Sequence, residues 1–288
     1  MLKVGFIGAG TVGTALASRL SASGYDVVAV ASRTFASAER LAAAVPGCRP
    51  MNTLQAAADA ADLVFITTPD GAIGQVASQI RWRKGQCVVH CSGADSTEVL
   101  QPARALGAQV AAFHPLQTFA SVRQAIDNLP GSTFAVEAEE PLLSLLKKMA
   151  ADLNGYSIEL KASDKVLYHA SAVVACNYFV TLVKLSTDLW QTFGVPRKDA
   201  VRALMPLLKG TLNNIENVGI PNCLTGPIAR GDAGTVRKHL AARDKSAPAV
   251  AKIYRQLGLE TVPISLDKGK IDQTAASELK DLLGAAGS

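Results

Sequence analysis

Over the first half of the chain, short unbroken apolar runs alternate with amphipathic stretches; beyond residue 162 nearly all the pattern is amphipathic. Residues 2–7, 25–31, 63–67, 86–91, 109–113, 133–136 and 156–160 read as strands. Most are apolar throughout, as in a sheet covered on both faces. Helical spacing fills the gaps, at 14–23 (closed by Gly24), 36–44, 54–58, 72–79, 99–105 and 141–153. Strand and helix taking turns predict a doubly wound α/β domain with a parallel sheet. After it, Ser163 is placed to cap a helix of about 30 residues reaching Phe193, which Gly194-Val195-Pro196 stops. Further helices are expected at 198–217 (with Gly210 inside), 235–243, 247–257 and 273–283, with Asp232 capping the second of these. Only 262–266 suggests a strand in this half. The expected division is therefore 1–161, α/β, and 162–288, all-helical.

The first strand, helix and strand enclose Gly8-Ala9-Gly10-Thr11-Val12-Gly13. Gly8 permits the tight turn, Gly10 lets backbone approach a pyrophosphate, and Gly13 lets the helix pack closely. The phosphates would face the free N–H groups at the helix start near Thr11. This is the Rossmann-like dinucleotide signature in its expected context. About 20 residues on, NAD sites place an acid against the ribose. Here stand Ser32-Arg33-Thr34, with no carboxylate before Glu39. Two hydroxyls and a guanidinium suit a 2′-phosphate, so the expected cofactor is NADP. Thr67, Thr68 and Pro69, at the end of the third expected strand and so on the crevice edge, should wall the same site.

Composition adds limits. A chain of 288 residues with 49% apolar content holds two ordinary domains, and a net charge of +5 without a basic run argues against nucleic acid. Cys48, Cys87, Cys91, Cys176 and Cys223 lack zinc spacing and read as buried free thiols in a reducing cytoplasm. A strand starting at residue 2 leaves no room for a leader, and the apolar run 170–183 is too short to span a bilayer. No metal or membrane is expected. A long apolar helix in a small helical domain suggests a homodimer.

Four motifs taken together are distinctive: the glycine turn; Phe113-His114-Pro115-Leu116-Gln117; Tyr168-His169-Ala170 with Asn177-Tyr178; and Leu224-Thr225-Gly226-Pro227-Ile228-Ala229-Arg230-Gly231-Asp232. The set resembles a bacterial family that joins a Rossmann-like NADP domain to a conserved helical domain of unknown function. It is distantly similar to ketopantoate reductase, pyrroline-5-carboxylate reductase, the β-hydroxyacid dehydrogenases and the deazaflavin-dependent NADP oxidoreductases. The resemblance implies the fold and NADP. It departs in one place: some of these relatives carry a proton-donating lysine four residues before an asparagine. Asn177 fits that asparagine, but Val173 occupies the lysine position.

Reduction of a carbonyl or imine needs a hydride donor and a group that meets the developing negative charge. Lys165, His169, Val173 and Asn177 recur every four residues, so His169 stands one turn from the vacant lysine place. Its alternatives are proton donor and packed interface residue. His114, expected in the loop after a strand, is the rival donor or a loop-shaping residue. Ser92 and Gly93 could receive a substrate carboxylate, or Ser92 could cap a helix. Gln117, with Thr118 beside it, offers further donors. Arg230 could clamp a carboxylate or pair with Asp232. Lys165 is expected to be solvated, its charge opposed by the helix dipole. The first reading is an NADPH-dependent reductase of a small carboxylated metabolite, a ketopantoate-like 2-oxo acid foremost. The alternatives are deazaflavin–NADP hydride exchange and a non-catalytic NADP-binding sensor or scaffold.

Overall fold

The computed structural model describes residues 2–246 and 248–285. Ala247, the expected start of one helix, lies outside them. The chain divides into two compact units, residues 1–177 and 178–288.

The first unit runs β1 (Lys3–Ile7), α1 (Thr11–Ala22), β2 (Asp26–Ala31), α2 (Phe35–Ala44), β3 (Arg49–Met51), α3 (Leu54–Asp59), β4 (Leu63–Ile66) and α4 (Ile73–Ser78). It continues through β5 (Cys87–His90), α5 (Gln101–Arg104), β6 (Gln109–Leu116), α6 (Val122–Asn128), β7 (Thr133–Glu137), α7 (Leu142–Asp152), β8 (Tyr156–Glu159) and α8 (Lys165–Ala172). The strands form one sheet in the order β3-β2-β1-β4-β5-β6-β7-β8. The chain reverses direction across the sheet between β1 and β4, which opens a crevice at their C-terminal ends. Seven neighbouring pairs are formed and only β6–β7 is antiparallel, so the expected parallel sheet is a mostly parallel one.

Alternation along the strands splits the core in two. Val4, Phe6, Phe65, Val89, Phe113 and Phe134 face α1 and α7. Ile7, Val64, Ile66 and Val88 face the alanine-rich side built by α3, α4 and α5. Phe6 pairs with Phe65 in register and their rings stack at 5.3 Å; Phe113 and Phe134 stack at 4.6 Å. Each fully buried phenylalanine contributes about 1.5–3 kcal/mol.

Several details differ from the sequence pattern. β3, three residues long and containing Pro50, forms the sheet edge, where proline is tolerated. α6 begins at Val122 because Ser121 Oγ accepts the Gln124 N–H at 3.3 Å. β6 does not stop at Phe113 but carries His114 and Pro115 within it. Its pairing with β5 ends at Ala112 while pairing with β7 continues to Leu116. Pro115 therefore sits where the strand has a single neighbour, and His114 belongs to a strand instead of a loop.

The long helical run is present as Ala162–Gln191, 30 residues. Ser163 does not cap it. A 3-10 turn, Ala162–Asp164, leads in, and the Ser163 hydroxyl donates to Asp164 Oδ1 at 3.0 Å. A π-turn, Val173–Asn177, interrupts the α-geometry after α8. The most apolar 18-residue window has mean hydropathy 1.6 and none of it is buried within the chain. By length and composition alone this helix could cross a membrane, although its apolar run 170–183, interrupted by Ser171, Asn177 and Thr181, is short for that.

The second unit holds α9 (Tyr178–Gln191), α10 (Arg197–Val218), α11 (Ala233–Ser246), α12 (Pro248–Asp267) and α13 (Gln273–Gly284). After α9 the Val195 N–H returns to Trp190 O at 3.2 Å, with Gly194 at φ 86°, a glycine stop as expected. Asp232 caps α11, accepting from the Thr235 N–H at 2.9 Å. Its core gathers Ile228, Val236, Leu240, Val262, Leu279 and Leu283. Residues 262–266 are not a strand but part of α12. Val262 and Leu266 share a face of a helix as readily as a face of a strand, and packing on α13 decides between them.

Candidate active site

Thr67 locks the glycine turn. Its N–H donates to Ile7 O at 2.8 Å and its hydroxyl to Gly8 O at 2.8 Å. Gly8 has φ 111°, and a Cβ there would lie 2.7 Å from the Thr67 carbonyl carbon. A Cβ on Gly13 would meet Thr67 Oγ1 at 2.4 Å and Gly8 O at 2.5 Å, so only glycine lets α1 approach this closely. In front of Gly10 the space is open. The first turn of α1, with Thr11, Val12 and Gly13, has no acidic side chain and no side-chain cap. Its N–H groups and positive dipole end are left for an anion.

A cleft of about 580 Å³ starts at Gly8 and Ala9. Ser32, Arg33 and Thr34 line one part of it, and Thr67, Thr68 and Pro69 another; no lining residue carries a carboxylate. The cradle that a Cβ would fill, the uncapped helix start and the arginine together fit a phosphorylated dinucleotide.

The second group of residues gathers at the C-terminal ends of β5 and β6. His114 Nδ1 is 2.8 Å from the Tyr168 hydroxyl, with the rings perpendicular. His169 stands edge-on to His114 at 6.3 Å. Both imidazoles pack over Gly93, where a Cβ would meet His169 Cδ2 at 2.7 Å and His114 Nε2 at 2.9 Å. His114, His169, Val173 and Asn177 line a cavity of about 600 Å³, together with Gln117 and Thr118.

Lys165 reverses expectation. It is 2% exposed, with Nζ donating to Ser92 O at 3.2 Å and standing 3.8 Å from Glu137 Oε2. Burial lowers its pKa, against the pull of Glu137, Asp95, Cys91 and Asp70. Burial, helped by the Lys165 charge and by His169, pushes His114 down to about 4. Burial first and Lys165 second push His90 down to about 3. Burial also drives the Tyr168 phenol up to about 12.

Ser92 has no free hydroxyl for a substrate. Its Oγ donates to Asp70 Oδ2 at 2.9 Å and accepts the N–H groups of Ala94 and Asp95. The hydroxyl thus fixes the turn after β5 and caps no helix, since Ser96 caps the following 3-10 turn, and His90 Nδ1 accepts the Ser92 N–H at 3.1 Å. The Gln117 amide is also engaged, with Asn128 O and Ser132 Oγ. In the second unit Arg230 is exposed and lines a pocket of about 350 Å³ with Lys268 and Lys270. Asp232 is held below the usual carboxylate range chiefly by its bonds to Thr235, with Arg230 a smaller cause. The five cysteines are free, but only Cys48 is buried as expected; Cys176 is exposed.

Residues 1–115 match a Rossmann-like domain, and residues 132–261 match a domain of unknown function, DUF2520. The chain joins a Rossmann-like domain to a DUF2520 domain. His114 falls in the Rossmann-like match, whereas Glu137, Lys165, Tyr168 and His169 fall in DUF2520. No curated protein matches. Among solved structures the chain is similar to BF3122 of Bacteroides fragilis, a candidate NADP oxidoreductase, at 25% identity and TM-score 0.74 over 91% of this chain and 98% of that one. Protein TM1727 of Thermotoga maritima is 24% identical, with TM-score 0.73 over 92% and 99%. A reductive aminase of Aspergillus terreus, solved with NADPH and ethyl levulinate, is 17% identical, with TM-score 0.66 over 98% and 99%.

Proposed function

We propose that this Rossmann-like/DUF2520 protein is an NADPH-dependent oxidoreductase that reduces the C=O or C=N of a small carboxylated metabolite. The observation that carries the reading is one compact unit holding both a carboxylate-free cleft at Gly8 and Ala9 and a histidine-lined cavity at His114 and His169. The similarity to BF3122 and to the NADPH-bound reductive aminase supports it. The Thr11–Gly13 N–H groups would hold the pyrophosphate, Ser32, Arg33 and Thr34 the 2′-phosphate, and Thr67, Thr68 and Pro69 a side wall. NADPH, when bound, supplies the hydride.

This chain's own residues supply the rest. His114 is kept neutral, which leaves proton delivery in the histidine pair to His169. Asn177 offers an amide to orient the substrate. Arg230, Lys268 and Lys270 give the second unit a basic pocket that suits a carboxylate. The exposed apolar side chains Val166, Leu167 and Val174, and Leu207, Leu212 and Ile215 in α10, support a homodimer, readable as mass by sedimentation.

The test is NADPH oxidation by purified protein over a panel of 2-oxo acids and cyclic imines, beside calorimetric NADPH binding. Turnover of a panel member supports the reading. Tight binding without turnover of any member replaces it with a non-catalytic NADP sensor, and absence of binding removes the cofactor assignment.

A further inference from the structure

We propose that Tyr168 is a positioning residue that fixes His114 as its Nε2–H tautomer, presenting a neutral N–H donor over Gly93 to a carbonyl oxygen. The inference rests on the reductase reading only for the identity of that oxygen; the tautomer stands on contacts within the chain.

The hydrogen bond between Tyr168 Oη and His114 Nδ1 is 2.8 Å long. A phenol is the stronger hydrogen donor of the two and a neutral imidazole nitrogen the stronger acceptor, so the proton in this bond belongs to the tyrosine. Nδ1 then accepts, and the single proton of the neutral ring must reside on Nε2. Nε2 is the atom that reaches over the Gly93 turn, 2.9 Å from the place a Cβ would take. Residue 93 carries none, and the donor is clear.

After burial, the charged groups that act on the ring keep it neutral: the Lys165 ammonium and His169, both from α8. Tyr168 and His169 stand edge-on to the ring from the same helix, and His90 on β5 also feels it. None is a carboxylate that would stabilise imidazolium. The Ser92–Gly93 turn beneath is itself fixed by Lys165 at Ser92 O and by Asp70 at Ser92 Oγ. A neutral N–H aimed at the reacting group favours an atom that gains negative charge, a ketone oxygen of a 2-oxo acid. It opposes a protonated iminium, whose own N–H would point at a second donor.

The chain has four histidines, so nitrogen-15 NMR with His114→Gln as the assignment control isolates the His114 ring. At neutral pH the wild-type ring should show protonated Nε2 and bare Nδ1, and Tyr168→Phe should shift it toward a mixture of tautomers while NADPH binding persists. A protonated Nδ1 in the wild type, or an unchanged tautomer in Tyr168→Phe, overturns the proposal. The wild-type spectrum decides by itself if that variant does not fold. With a 2-oxo acid that turns over, Tyr168→Phe should lower kcat about tenfold or more, with KM changing much less. Turnover confined to cyclic iminium substrates would overturn the carbonyl assignment, and no turnover at all would fault the reductase reading while the tautomer is still decided by the spectrum.

Discussion

The ammonium of Lys165 stands 3.2 Å from the carbonyl oxygen of Ser92, joining α8 to the turn that follows β5. Glu137, at 3.8 Å, is the charge that balances it, and Glu137 also accepts from Thr97 N–H and Oγ1. Removing one partner of a buried ion pair leaves the other charge uncompensated. Lys165→Met should therefore destabilise the protein by about 3–5 kcal/mol in denaturant unfolding. Adding Glu137→Gln should recover part of that loss. A change below about 1 kcal/mol would mean the pair is solvated after all.

Gly93 is under comparable constraint from the other side. A Cβ would stand 2.7 Å from His169 and 2.9 Å from His114, so Gly93→Ala must push both imidazoles away. Overpacking of this kind costs about 1–3 kcal/mol. Reductase turnover should fall far more than stability, whereas NADPH affinity, set in the cleft at Gly8, Ala9 and Arg33, should hardly move. Parallel measurement of Tm, NADPH affinity and turnover checks this; full turnover in the variant would place the chemistry elsewhere.

His90, buried, and His114, half-buried, give stability a pH dependence of definite sign. His90 is held at about 3 and His114 at about 4, while unfolded histidine titrates near 6.5. Between those values the unfolded chain binds protons that the native chain refuses. Stability should fall as pH drops from about 6.5 toward 4, by up to about 1.4 kcal/mol per pH unit for each histidine. Above 6.5 both states carry neutral rings and the slope from this source vanishes. Urea midpoints at successive pH values measure it, and His114→Gln should reduce the slope by roughly one proton's worth.

How much of this was legible in the sequence follows from range of interaction. The glycine turn and Ser32-Arg33-Thr34 declare themselves because strand, turn and helix are consecutive, although Thr67, which Gly8 and Gly13 both meet, comes from a strand end more than 50 positions on. Lys165 does not. Its burial depends on Ser92 and Glu137, 73 and 28 positions away, and a lysine at a helix start ordinarily reaches water. The spacing of Lys165, Tyr168 and His169, three and four residues apart, does put them on one helix face and was the available hint. The extension of β6 through His114-Pro115 is hidden for a related reason: whether a strand tolerates proline depends on which neighbour is missing, and only the β5 and β7 registers reveal that. At 262–266 the apolar spacing satisfies strand and helix alike, so packing alone could choose.

Cofactor choice provides the sharpest separation of effects. Arg33 lines the cleft beside Ser32 and Thr34, with no carboxylate among the lining residues to repel a 2′-phosphate. A charge-assisted hydrogen bond to a phosphate oxygen contributes roughly 1.5–3 kcal/mol. Arg33→Ala should therefore weaken NADPH binding by about 10–150-fold, while NADH, which lacks the phosphate, should bind as before. Raising ionic strength should narrow the gap between wild type and variant, because the contact is exposed and screened by salt. Titration of both cofactors into both proteins by calorimetry at two salt concentrations reads all of these terms. Equal losses for the two cofactors would assign Arg33 to the adenosine or to the fold, and the 2′-phosphate would need another partner in the cleft.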